Sequence, residues 1–87
     1  MAHVVIPPLL RELTDGAESV DVAAGNLREL IARLDEQFPG AAGRLRSGER
    51  LAPGLAASVD GVLVTQGLLA QLRPESEVHF LPAIGGG

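Results

Sequence analysis

The sequence predicts an α+β domain in which one main helix lies on one sheet, and three observations carry that reading. An amphipathic helix pattern runs from Asn26 to Phe38. Short β-patterned segments precede and follow it. The five large apolar residues of the helix stripe need a flat apolar surface to cover them, and two early strands are too few, so the later strands must join the same sheet. At 87 residues the chain has room for one hydrophobic core, and it contains no internal repeat or linker, so residues 1–87 are read as a single domain.

The elements follow in chain order. Ala2 to Ile6 is a short β-branched run, and Pro7-Pro8 ends its regular pairing. Leu9 to Leu13, apolar with two charges, is expected to cover an edge of the core. Asp15-Gly16 is a turn signal, after which Ser19-Val20-Asp21-Val22 alternates polar and apolar, so the chain opens with a hairpin. In the helix, Leu27, Leu30, Ile31, Leu34 and Phe38 share one face. Asn26 is a suitable N-cap, Glu29 stands at the capping-box position, and Glu29 and Arg33 are four apart in the favourable order. Pro39-Gly40 stops the helix. Residues 41–57 show weak periodicity and read as a loop with a helical turn near Ala42 to Leu45. Strand pieces are expected on either side of a turn, at Ser58-Val59-Asp60-Gly61 and Val62-Leu63-Val64. A helical turn at Leu68 to Leu72 and a turn at Pro74-Glu75 come next, then a final strand Glu77 to Leu81 that Pro82 ends.

Composition removes most function classes. Only Phe38 and Phe80 are aromatic, so the core is built from Leu, Val, Ile and Ala. There is no cysteine, which excludes disulfides, thiolate metal sites and a cysteine nucleophile; sulfur chemistry would need sulfur brought from outside. A formal net charge of −4 with no basic and aromatic patch argues against nucleic acid. No apolar stretch can cross a bilayer and no signal-peptide pattern is present, so a cytoplasmic protein with no membrane partner is expected. His3 and His79 read as surface strand residues, Ser19, Ser47, Ser58 and Ser76 lack a nucleophile-elbow setting, and Asp35-Glu36 is a solvated helix face. All seven fixed cations are arginine. Coding bias in a GC-rich genome gives that pattern, and so would a chain that must not acylate its own lysines.

What remains is the end of the chain. Gly85, Gly86 and Gly87 follow a predicted central strand, so the folded body holds the root of the tail, residues 82–87. They precede no helix and so form no phosphate-binding loop. Lacking side chains, they can enter a slot too narrow for other residues and present an unhindered carboxylate. Those properties suit chemistry done on the terminus by another protein. Strand alternation adds a surface: with Val78 and Phe80 inward, His79 and Leu81 face outward, and with Val62 and Val64 inward, Leu63 faces outward, with Pro7 as a neighbour.

The ending Val78-His79-Phe80-Leu81-Pro82-Ala83-Ile84-Gly85-Gly86-Gly87 resembles that of the β-grasp, ubiquitin-like sulfur carriers, the group of ThiS, MoaD and CysO. The resemblance spans nearly the whole chain. The opening Ile6-Pro7-Pro8-Leu9-Leu10-Arg11 looks most like the CysO-type carriers of cysteine biosynthesis, and Arg11-Glu12-Leu13 with the helix Leu27 to Phe38 also looks like MoaD. Gly85 departs from the alanine that family members often carry there, which loosens the tail. The resemblance implies a β-grasp fold: a mixed sheet of four to five strands packed on one main helix, with a free C-terminal diglycine tail. It implies a carrier rather than an enzyme. A ubiquitin-activating-type adenylating enzyme would bind the carrier and ATP, and the Gly87 carboxylate would attack the α-phosphate. A sulfur donor would then displace AMP to leave a thiocarboxylate, and a sulfur-accepting synthase would use it. Nucleotide and metal would sit on the partner, so this chain would bind no cofactor. In the MoaD-like pattern the face bearing Leu63, Leu81 and Pro7 carries the partner patch. Cysteine is the first expected product, then molybdopterin, thiamin or a sulfur-containing natural product. A modifier conjugated to lysines, or a non-catalytic small subunit of a molybdopterin-synthase-like complex, are the alternatives.

Overall fold

A computed structural model describes residues 1–83. Strands β1 (Ala2–Val5) and β2 (Ser19–Val22) form the expected hairpin, and α1 (Leu27–Gln37) follows. A short helix α2 (Ala41–Leu45) leads into a two-stranded hairpin, β3 (Arg46–Ser47) and β4 (Arg50–Leu51). Strands β5 (Leu55–Val59), β6 (Val62–Leu63) and β7 (Glu77–Pro82) complete the main sheet, whose order is β2-β1-β7-β5-β6. Strands β1 and β7 run parallel, and the other neighbouring strands run antiparallel. A five-stranded mixed sheet with the last strand at its centre and one long helix across one face is the β-grasp arrangement.

The core is a single cluster. From the sheet it takes Ala2, Val4, Val22, Ala57, Val78 and Phe80, and from α1 it takes Leu27, Leu30, Ile31 and Leu34, with Phe38 partly buried against it. The helix starts as expected: Asn26 Oδ1 accepts from the Glu29 backbone N–H at 2.8 Å. The reciprocal half of the box is displaced by one residue, because Glu29 Oε1 accepts from the Gly25 N–H, not from Asn26. Arg33 pairs with Glu36 at 3.3 Å rather than with Glu29, whose carboxylate is already engaged at that cap.

Several local expectations shift. Pro8–Thr14 is a 3₁₀ helix that buries Leu10 and leaves Leu9 exposed, so it covers the core edge with one leucine rather than its whole apolar run. It ends at Asp15 and Gly16, both at positive φ. The stretch read as loop contains β3, β4 and the first half of β5. The later helical turn is Gly67–Leu69, earlier than the leucine spacing suggests, with Leu68 buried. The β5–β6 turn is Asp60-Gly61, with φ 51° and 83°, the two positive values that match the twist of a two-residue hairpin. Val62, on the edge strand, pairs with Val59, which packs partly against the core, yet is itself 69% exposed; Val64 packs partly against the core.

Candidate functional site: the root of the tail and the outer sheet face

Strand β7 fixes where the chain leaves the body. Leu55 is paired with Pro82, and the Ala83 N–H donates to the Gly54 carbonyl at 2.9 Å. The strand therefore runs one residue beyond its expected end at Leu81, and the root of the tail is Ala83 rather than Pro82. Proline fits because of the ladder's alternation. Glu77 and Ala83 exchange hydrogen bonds with the β5 side, so position 82 points its missing N–H the other way, past the last β1 pair, Val5 with His79. Gly85, Gly86 and Gly87 lie outside the described residues, as does Ile84.

The opposite end of β7 is held by Asp60. Its Oδ1 accepts from the Glu77 N–H at 2.9 Å, and its Oδ2 accepts from the Ser76 hydroxyl at 2.9 Å and from Arg73 at 3.3 Å. Ser76 is buried and its oxygen also accepts from the Arg73 N–H. The Glu77 backbone donor foremost, then Ser76 and Arg73, hold the Asp60 carboxyl below the usual carboxylate range. A depressed folded-state value means that this carboxylate stabilises the fold above its unfolded pKa, about 3.9, and that the contribution disappears as pH falls through the lower folded value. Asp60→Asn should therefore lower Tm at neutral pH, and the gap to the parent protein should close below about pH 4; a gap that stays constant from neutral to strongly acidic pH would rule out this role.

The outer face of the sheet, opposite α1, is set by register. Val5, His79, Ser58 and Leu63 form one row across β1, β7, β5 and β6. Two residues along, Leu81 pairs with Ala56, and continuing the β1–β7 register brings Pro7 alongside Leu81. Leu63 is 58% exposed, while Val5, Pro7, Ala56 and Leu81 are half-buried. All three residues named from the sequence thus stand on one face, but not in one contact. Leu81 stands opposite Pro7 by extension of a β1–β7 register that is paired as far as Val5 with His79, whereas Leu63 is two strands from β7, a lateral separation of about 10 Å. Val5 and Ala56 complete the apolar area. Val5 was readable from its alternation with Val4; Ala56 carries no sequence signal, because only its pairing with Leu81 places it there. Toward the start of β7 the same face turns polar, with His3 Nδ1 at 2.9 Å from Asp21 and His79 Nε2 at 2.6 Å from Glu77. The two histidines are on neighbouring strands, His3 opposite Glu77, and each faces its own carboxylate in the open.

Among the described residues no group of three His, Asp or Glu side chains is placed to hold a metal ion, and no helix is long and apolar enough to cross a membrane. What the arrangement offers is a hydrogen-bonded central strand that leaves the body beside an apolar surface.

Comparison with known proteins fits this geometry. No curated protein shows a significant sequence match. A chain of the Amycolatopsis orientalis BexX/CysO complex superposes with TM-score 0.90 at 29% identity over the full length of both chains. Mycobacterium tuberculosis CysO, an antigen, gives TM-score 0.88 at 27% identity, covering 97% of this chain and all of that one. The small archaeal modifier protein 1 of Methanosarcina acetivorans, at 19% identity and TM-score 0.77 over 99% of this chain and 95% of its own, shares the fold. The ThiS family model matches residues 4–87, from the first strand through the terminal glycines. The chain belongs to the ThiS family of β-grasp sulfur carriers.

Proposed function

We propose that this chain carries sulfur as a thiocarboxylate on Gly87, formed after a partner enzyme adenylates the terminal carboxylate. A carboxylate is a poor acyl donor. Transfer of AMP to it, with release of pyrophosphate, supplies the leaving group that a sulfur nucleophile then displaces. The observation that carries the reading is the root at Ala83: β7 is central and hydrogen-bonded on both sides, and the residue after it, Ala83, is still tied to Gly54 four residues short of Gly87. Four residues can extend about 13–14 Å, enough to thread a narrow slot while the body stays outside. In this reading the chain binds no cofactor; ATP and metal belong to a ubiquitin-activating-type adenylating enzyme. A separate sulfur donor and a sulfur-accepting synthase complete the cycle, in the cytoplasm, where the ATP is.

The likeness to two CysO chains at 27–29% identity favours cysteine as the product, ahead of molybdopterin, thiamin or a sulfur-containing natural product. That one of these chains occurs in a complex with BexX supports docking to a partner protein. The adenylating enzyme should release pyrophosphate from ATP only when this chain is added. Pyrophosphate release that does not depend on the chain, or adducts on lysines of other proteins with no thiocarboxylate, would replace this reading with a modifier or an inert subunit.

In this account the outer face guides docking through Leu81, Pro7 and Leu63. Leu63→Glu and Leu81→Glu should each raise the KM of the adenylating enzyme for the carrier by roughly tenfold or more, the range of interface anchors. Gln37→Glu on α1 should leave it unchanged. Circular dichroism checks that each variant is folded. Unaltered KM in both leucine variants would move the docking surface elsewhere.

A further inference from the structure

We propose that the chain is built as an acyl donor that its own activated terminus cannot acylate, so that activation is directed wholly to external nucleophiles. The inference rests on the carrier reading above and adds a structural reason for the arginine-only cation set. Two observations combine. First, the sequence has no lysine, and its cations are Arg11, Arg28, Arg33, Arg44, Arg46, Arg50 and Arg73. A guanidinium stays protonated and delocalised at any pH the protein meets, so it does not attack an acyl centre, whereas a lysine amine does. Second, the amine of Met1 is at the wrong end of the molecule. β1 and β7 run parallel with His3 opposite Glu77, so the start of β1 lies beside the start of β7. Ala83 is six residues further along β7, about 20 Å away, and Met1 lies beyond His3 on the far side. Ala2 is buried and paired with Val22, which holds Met1 at that end. The four residues after Ala83 reach about 13–14 Å and fall short.

The consequence is chemical. In a Gly87 acyl-adenylate or thioester, an amine nitrogen would attack the carbonyl carbon, a C–N bond would form, the C–O or C–S bond would break, and the leaving group would depart with its electron pair while the amine lost a proton. A reachable lysine would hold its amine at an effective concentration on the order of millimolar and would drain the activated carrier into a dead cyclic amide. Separation of tail and amine, together with arginine at every cationic position, leaves that route without a nucleophile.

The test uses the full chain carrying a Gly87 thioester of a small thiol, made by intein cleavage, so it needs no partner enzyme and does not depend on the biological role. Pro53 is exposed and adjoins Gly54, whose carbonyl holds Ala83, so Pro53→Lys places an amine beside the tail's root. Ala56→Lys, on the strand residue paired with Leu81, is a second near variant in case the Pro53 turn is disturbed. Arg73→Lys places an amine at the far end, against Asp60. At micromolar protein and mildly alkaline pH, intact mass should show the parent and Arg73→Lys thioesters hydrolysing to the acid. At least one folded near variant should accumulate a species one water lighter than the acid, roughly 100-fold faster than any such species in the far variant. Cyclic amide from the parent chain, equal rates in near and far variants, or no cyclisation in either near variant would overturn the inference. Failure of the carrier reading would show separately, as no pyrophosphate release and no thiocarboxylate with an intact self-acylation pattern.

Discussion

Deleting Gly87 is expected to abolish thiocarboxylate formation while leaving the body folded. The shortened chain ends in Gly86, whose carboxylate stops about 3.3–3.6 Å short of the position reached by the parent. A misplacement of about 1 Å at a reacting centre costs on the order of 100-fold, so a deficit of a whole residue should remove activity below detection. A residue added after Gly87 should act as strongly, because it replaces the reacting carboxylate with an amide. The fold should not respond: the furthest described hydrogen bond of β7 is made by Ala83, four residues upstream. Matching melting curves with lost adenylation is the expected pair of results. Normal loading of the truncated chain would remove Gly87 from the mechanism.

The largest stability effect is expected at the centre of the helix–sheet contact. Leu30 is fully buried on α1 within the cluster that includes Val4, Val78 and Phe80. Leu30→Ala removes apolar contact and leaves a cavity, a loss of about 2–5 kcal/mol. Small domains have only about 5–15 kcal/mol in total, so a midpoint fall of about 8–40 °C is expected at roughly 4–8 °C per kcal/mol. Urea unfolding measures it directly. A change below about 1 kcal/mol would mean that α1 is not packed on the sheet as described. Molecules that remain folded should still load sulfur, because Leu30 touches neither the outer face nor the root of the tail.

These two residues also show where the sequence is informative. Leu30 belongs to a helix legible in several ways at once: a 3.6-residue apolar period, Asn26 as cap and Pro39-Gly40 as stop. β7 was equally plain, since Val78 and Phe80 alternate with His79 and Leu81. The first half of β5 was not. Leu55-Ala56-Ala57 has little β propensity, and its extended form comes from pairing with Leu81 and Phe80 of a strand more than twenty residues away. The β3–β4 hairpin, two residues a side with Arg, Ser and Leu, is too short for alternation to register. Charge pairing was poorly legible for the same reason: Glu29 chose the Gly25 N–H over Arg33, a choice set by the local approach of the chain before α1. On the outer face, alternation identified Leu81 and Leu63, but their separation depends on β5 lying between them. The Asp60, Ser76 and Arg73 bonds were hidden because they join a turn to a segment sixteen residues later.

The most direct test of the account is the mass of the C-terminal peptide after reaction of the purified chain with its adenylating enzyme, ATP and a sulfur source. The account predicts that one oxygen is replaced by sulfur and that fragmentation places the change on Gly87. An unchanged carboxylate under conditions in which ATP is consumed, or sulfur found anywhere upstream of Gly87, would contradict it.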